Sequence, residues 1–109
     1  MALGLEAGYG LTTLTTLTAV GVSDAVITAG VHLCFQVTLS SVGTNVVVRF
    51  EGSLDGNSYF NLAPSAVDYT LTANGTYGYV LYAPVQYVRV RLVSISGGTP
   101  SVATVIGTY

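Results

Sequence analysis

The stretch VHLCFQVTLSSV, residues 31–42, alternates with a period of two. Val31, Leu33, Phe35, Val37 and Leu39 fall on one side of an extended chain, and His32, Cys34, Gln36, Thr38 and Ser40 on the other. Successive strand side chains point to opposite faces, so this pattern buries its apolar residues only as a strand with one covered face. Two more segments repeat it. In NVVVRFEGS, Val46, Val48 and Phe50 oppose Val47, Arg49 and Glu51; in QYVRVRLVSI, Val88, Val90 and Leu92 oppose Tyr87, Arg89, Arg91 and Val93. No segment shows a sustained 3.6-residue period, so no helix longer than two turns is expected.

Turn signals divide the chain. Asp55-Gly56 and Asn74-Gly75 are the dipeptides that favour a type I′ hairpin, because both tolerate positive φ. Ser41–Thr44, around Gly43, reads as a third hairpin. Gly97-Gly98-Thr99-Pro100 reads as the end of the arginine-bearing strand, and Pro84 separates two strands because proline cannot donate to a central ladder. The expected strands are 11–18, 24–28, 31–40, 45–53, 58–62, 67–73, 77–83, 86–95 and 101–107. About eight short strands at regular spacing predict an all-β chain, an antiparallel β-sandwich or jelly roll, with residues 11–109 as a single domain. Leu11, Leu14 and Leu17 recur every three residues, which suits neither period; the threonines around them favour a strand.

Residues 1–10, MALGLEAGYG, lack either period and carry three glycines. They read as an extended N-terminal arm. Ten extended residues span at most about 35 Å, enough to reach a neighbouring subunit. Leu3, Leu5 and Tyr9 are its apolar anchors and the candidate subunit- or capsid-binding residues. The arm has neither the basic flank nor the apolar run of a leader, and no segment approaches the ~20 apolar residues of a membrane helix, so synthesis in a cytoplasm and no membrane partner are expected.

Charge is scarce. Charged residues make up 7% of the 109, against about 25% in ordinary soluble domains. There is no lysine, the bases are Arg49, Arg89, Arg91 and His32, and the formal net charge is −2. Three arginines do not form the basic stripe that nucleic-acid binding requires. A surface of Thr, Ser, Gly, Asn and Tyr bonds to neighbours but repels them weakly, which suits a subunit covered by others.

The outward charges admit two readings. Arg49 and Glu51 are i and i+2 on one strand, as are Arg89 and Arg91 on another, so Arg49, Glu51 and Asp68 can form a cross-strand charge ladder that holds register. Alternatively Tyr87, Arg89 and Arg91 form an interface patch that docks on an acidic neighbour, since arginine and tyrosine are enriched at interface centres.

Catalytic and metal chemistry find little to use. His32 and Cys34 share a strand face, but no third orienting residue accompanies them, and they read as lining the second face of a central strand. One histidine and one cysteine do not make a zinc site, and Asp55–Ser58 (DGNS) is accounted for as a turn without calcium. The expectation is a protein with no catalytic residues, no metal and no cofactor. The eight tyrosines read as filling core edges or an interface; stacking on sugars is the alternative.

VVVRFEGSLDGNSYFNL, followed by LTANGTYGYVLYAPVQYVRVRLVSISGGTPSVATVIGTY, resembles small β-sandwich virion proteins of tailed bacteriophages, among them capsid decoration (cement) proteins and related head or tail accessory subunits. The resemblance covers roughly residues 45–109. It implies a non-enzymatic structural subunit that binds the major capsid protein, stabilises the shell by bridging its subunits, sits on the virion surface and forms a homo-oligomer, often a trimer. The S-DG-aromatic and YVRVRL pieces are also similar to discoidin-type jelly rolls, which implies a carbohydrate- or host-surface-binding module instead. A tail accessory domain is a third reading.

Overall fold

The computed structural model describes residues 10–28, 32–63 and 66–108. Among them there is no α-helix, and eight strands form one antiparallel sheet: β1 (Gly10–Thr13), β2 (Gly21–Val22), β3 (Val26–Ile27), β4 (His32–Ser53), β5 (Phe60–Asn61), β6 (Tyr69–Leu71), β7 (Gly75–Tyr82) and β8 (Tyr87–Thr108). The all-β, antiparallel class is the one the alternation predicts. Its closure is not. β4 and β8 are each 22 residues long, about four times an average strand, and they pair along their whole length, from Leu33↔Thr108 to Ser53↔Tyr87.

This central ribbon is flanked on both sides. β1, β2 and β3 pair along the outer edge of β8; β7, β6 and β5 follow one another along the outer edge of β4. The ribbon then folds across its middle. Phe35 and Phe50 lie on the same strand, fifteen residues apart, which would separate them by about 50 Å in a straight strand. Their rings stack with centroids 4.2 Å apart. The two halves of the sheet therefore face each other as a curled half-barrel, the covered arrangement of a sandwich. A sheet with one apolar face has to bury it against something, and this one buries it against itself. Leu33, Phe35, Val37 and Leu39 from one half of β4 meet Val46, Val48 and Phe50 from the other, with Val88, Val90, Leu92, Val102 and Ile106 from β8. Tyr69 and Tyr79 complete an aromatic stack on Phe50.

Two sequence expectations are corrected at the fold line. Ser41–Thr44 is not a hairpin, and Gly97–Pro100 does not end a strand. Both are bends inside continuous strands, opposite one another, marked by register shifts between Ser40 and Val42 and between Val42 and Asn45. Ser41, Gly97 and Gly98 have positive φ (56°, 74° and 71°). The two backbones also press together there: a Cβ on Gly43 would sit 2.3 Å from the carbonyl carbon of Gly97, and one on Gly98 would sit 2.4 Å from the nitrogen of Gly43. Glycine at 43 and 98 is what lets two paired strands bend at one point.

The other two hairpins also differ from expectation. β6 ends before Asn74 and β7 starts at Gly75, yet each pairs with β4 and not with the other. The turn carries the chain from one half of β4 to the other across the fold. β4 and β5 do pair, as Glu51↔Asn61 and Gly52↔Phe60, but through a longer loop in which only Gly56 has positive φ (80°). The expected strand 11–18 is shortened to β1, beginning at Gly10, which pairs with Thr108. Beyond it, Leu14 and Leu17 are buried and donate their N–H groups to Thr104 and Val102. Three residues on one side thus match two on the other, and the spacing of three between Leu14 and Leu17 follows from that extra residue, whereas Leu11 is exposed. Leu3, Leu5 and Tyr9 of the arm lie outside the described residues.

Candidate functional site

The outward face of the folded ribbon carries the charges. Arg49 stands opposite Arg91, and Glu51 opposite Arg89, on β4 and β8. Glu51 points away from the core by strand parity, yet the residue is only 4% exposed because arginines close over it. Arg89 Nε donates to its Oε1 and Arg91 Nε to its Oε2, both at 2.8 Å. Arg49 stands 3.6 Å from Oε2 on the third side. Arg49 makes its own two-pronged contact with Asp68: Nε donates to Oδ1 at 2.8 Å and an Nη donates to Oδ2 at 3.0 Å. Asn61, on β5 beside Glu51, donates to Asp68 Oδ1 at 2.9 Å. The Arg89 guanidinium carbon lies over the Tyr59 ring, 3.7 Å from its centre.

The electrostatics follow from this packing. Burial pushes the Glu51 carboxyl up, but hydrogen bonds from Arg91 and Arg89 and their charges outweigh it and hold the pKa below the ordinary glutamate value. The hydrogen bond from Arg49 lowers that of Asp68 against a smaller desolvation effect. The hydrogen bond to Asp68 in turn raises that of Arg49. All three arginines of the chain are thus engaged with carboxylates of the same chain.

The ladder residues Arg49, Glu51 and Asp68 come together, and Arg89 and Arg91 of the proposed interface patch join them through Glu51. The Arg89 and Arg91 side chains keep 19% and 35% of their exposure. Tyr87 stands apart from the ion cluster: it pairs with Ser53 and Ile27, and its ring packs over Gly56. Tyr59 and Asn61 were missed by the sequence reading. Their signal was positional, since both lie in the NSYFNL run that returns toward Glu51.

That run belongs to a loop held by its own hydrogen bonds. Asp55 Oδ1 accepts from the Ser58 and Asn57 amides and from the Ser53 hydroxyl, and the Ser53 hydroxyl accepts from the Gly56 amide. The amides of Ser58 and Asn57, then the Ser53 hydroxyl, bring the Asp55 pKa down to about 2. Asp55 is therefore the organising acceptor of the loop.

Beside the loop lies a groove of about 270 Å³ lined by Leu54, Phe60, Leu62, Tyr82, Ala83, Pro84 and Val85. Leu54, Phe60 and Tyr82 are 70%, 51% and 70% exposed. Neither the alternation nor the turn signals mark this apolar surface. Leu54 and Phe60, apolar residues flanking a turn where polar ones are usual, were the available sign. His32 and Cys34 lie on the outward face of β4, where His32 meets the Tyr82 ring edge-on, with centroids 5.4 Å apart.

Neither a family model nor a curated protein matches this chain. Its fold does have a solved counterpart. The crystal structure of SPBc2 prophage-derived protein YomS superposes with a TM-score of 0.60 over 92% of this chain and 95% of that one, at 13% sequence identity. The likeness runs nearly end to end in both molecules, so the folded ribbon is a whole-chain architecture common to the two. At this identity what it establishes is the fold.

Proposed function

We propose that this chain is a non-enzymatic structural protein of a phage particle that attaches to the major capsid protein as a homo-oligomer and stabilises the shell by bridging its subunits. The observation that supports this reading is the full-length likeness to a prophage-derived protein, which joins the resemblance of residues 45–109 to phage decoration proteins. The charge distribution agrees with it. The arginines are paired within the chain, and what remains outside is a surface poor in charge, with Asp24 and Asp55 exposed beside apolar side chains such as Val22, Ile27 and Val80, suited to close packing against neighbours. Leu3, Leu5 and Tyr9 are the arm residues assigned to the shell contact.

The test is localisation. Particles of the phage that encodes the chain are purified on a density gradient, and antibody against the protein is visualised by immunogold electron microscopy. Label on the heads is the expected result. Label confined to tails moves the protein to the accessory class, and protein found only in the unsedimented fraction defeats the virion reading. A carbohydrate-binding reading is favoured by one observation, the exposed Phe60 and Tyr82 rings at the apolar groove. Binding on a glycan array, lost in Tyr82→Ser, would support that reading in place of the first.

A further inference from the structure

The outer edge of β7 is unpaired among the described residues; its only ladder partner there is β4. An edge strand offers a row of N–H and C=O groups to another strand, and proteins that stay monomeric blunt such edges with charge, proline, bulges or brevity. β7, GTYGYVLY, is eight residues long, carries no charge and no proline, and pairs with β4 without a register shift. Its outward face carries Val80 and Tyr82 at one end, and Thr76 and the side-chain-free Gly78 at the other. Val80 is 75% exposed and Tyr82 70%, whereas a Cβ placed on Gly78 would meet nothing within 4 Å.

We propose that β7 is a self-association edge, at which two copies of this chain join their β7 strands antiparallel about a two-fold axis through Val80. Residues directly opposite one another in a sheet share a face, so an identical strand must pair with its mate around a residue, not between two. Centring on Val80 sets Val80 against itself, Tyr82 against Gly78 of the second copy, and Tyr79 against Leu81 of the second copy. The largest exposed side chain of the strand thereby covers the open glycine on the same outward face, twice by symmetry, which is the aromatic cover that strand glycines need. The inner-face pair is apolar as well, and the strand has no charge to repel its mate. A second copy fits this edge because the edge calls for a strand and Tyr82 fits the gap that an identical strand carries two rows away. A two-fold contact yields dimers or even-numbered assemblies, not the trimer implied by the decoration-protein resemblance. The inference does not rest on the virion reading.

A contact this small is at the weak end of protein interfaces, so micromolar association is the relevant range. Sedimentation equilibrium of the full chain is expected to show a monomer–dimer transition. Val80→Lys, at an exposed position, is expected to keep the fold by far-UV circular dichroism and to move the transition to several-fold higher concentration, because it opposes two like charges on the axis. Cross-linking provides a second arm that needs no charge. Cys34 on β4 lies directly opposite Val80 and would capture a new cysteine within the chain, so the variants are built on Cys34→Ser. Under mild oxidation Val80→Cys is expected to give a disulfide-linked dimer and Thr76→Cys, on the same face but off the axis, is not. A wild-type chain that stays monomeric at every concentration overturns the proposal. So does unchanged association in a folded Val80→Lys, or equal cross-linking at the two cysteine positions.

Discussion

Replacing Glu51 by glutamine tests the charge cluster most directly. The side chain keeps its shape and one acceptor oxygen, so one of the two 2.8 Å arginine contacts survives as a neutral-acceptor bond. The other oxygen becomes an NH₂ group facing an arginine N–H, donor against donor. Hydrogen bonds to charged groups contribute about 1.5–3 kcal/mol. Breaking one partner of a buried pair costs about 3–5 kcal/mol. Arg89 and Arg91 retain some access to water, which offsets part of that, so the expected loss is about 2–3 kcal/mol. For 109 residues at about 2.1 cal/mol/K of unfolding entropy each, this lowers Tm by about 10 °C. The pH dependence separates charge from shape. Glu51 is depressed in the folded state from a reference of 4.5, so its contribution is fully present above that value and is lost as pH falls through the lower folded pKa. The assay is thermal unfolding of both proteins by circular dichroism from neutral pH downward. A gap of about 10 °C at neutral pH that narrows below about pH 4.5 is expected. A gap under about 2 °C at neutral pH, or one that stays constant to the acid limit, refutes the reasoning.

Gly98→Ala places a Cβ 2.4 Å from the Gly43 nitrogen at φ 71°; a non-glycine residue at positive φ alone costs about 1–3 kcal/mol, so the variant should melt well below wild type or fail to fold, whereas Gly78→Ala, with open space around it, should not. Thr104 carries a buried hydroxyl with no hydrogen-bond partner among the described residues. Thr104→Val should therefore raise stability by about 1 kcal/mol in urea unfolding, since an unsatisfied buried polar group costs about 1–3 kcal/mol; a lower midpoint would show that the hydroxyl has a partner. Asp55 titrates near 2 against an ordinary 3.8, so its stabilising contribution is present above 3.8 and disappears toward 2. An NMR titration should find that low midpoint, and Asp55→Ala should speed amide exchange at Asn57 and Ser58. Phe50→Ala removes the ring that stacks on Phe35, Tyr69 and Tyr79 and should cost about 3–5 kcal/mol, read as a matching fall in the denaturation midpoint.

Local physics made much of this protein legible from residues alone. Val46, Val48 and Phe50 point inward and Arg49 and Glu51 outward because side-chain direction in a strand is a matter of parity, which the chain carries without knowing its partners. The same parity put Leu33, Phe35, Val37 and Leu39 in the core and paired acids with bases across the ladder. Tertiary structure alone decided where the strands end. A glycine-containing stretch such as Ser41–Thr44 satisfies a hairpin and a bend equally well. The choice between them depends on the backbone of Gly97 and Gly98, more than fifty residues away, lying against Gly43 so that both strands of one ribbon fold together. The closure of the cluster over Glu51 was hidden for the same reason. Its burial comes from Arg89 and Arg91 arriving from another strand, and local sequence specifies which face a residue takes but not what the rest of the chain lays over it.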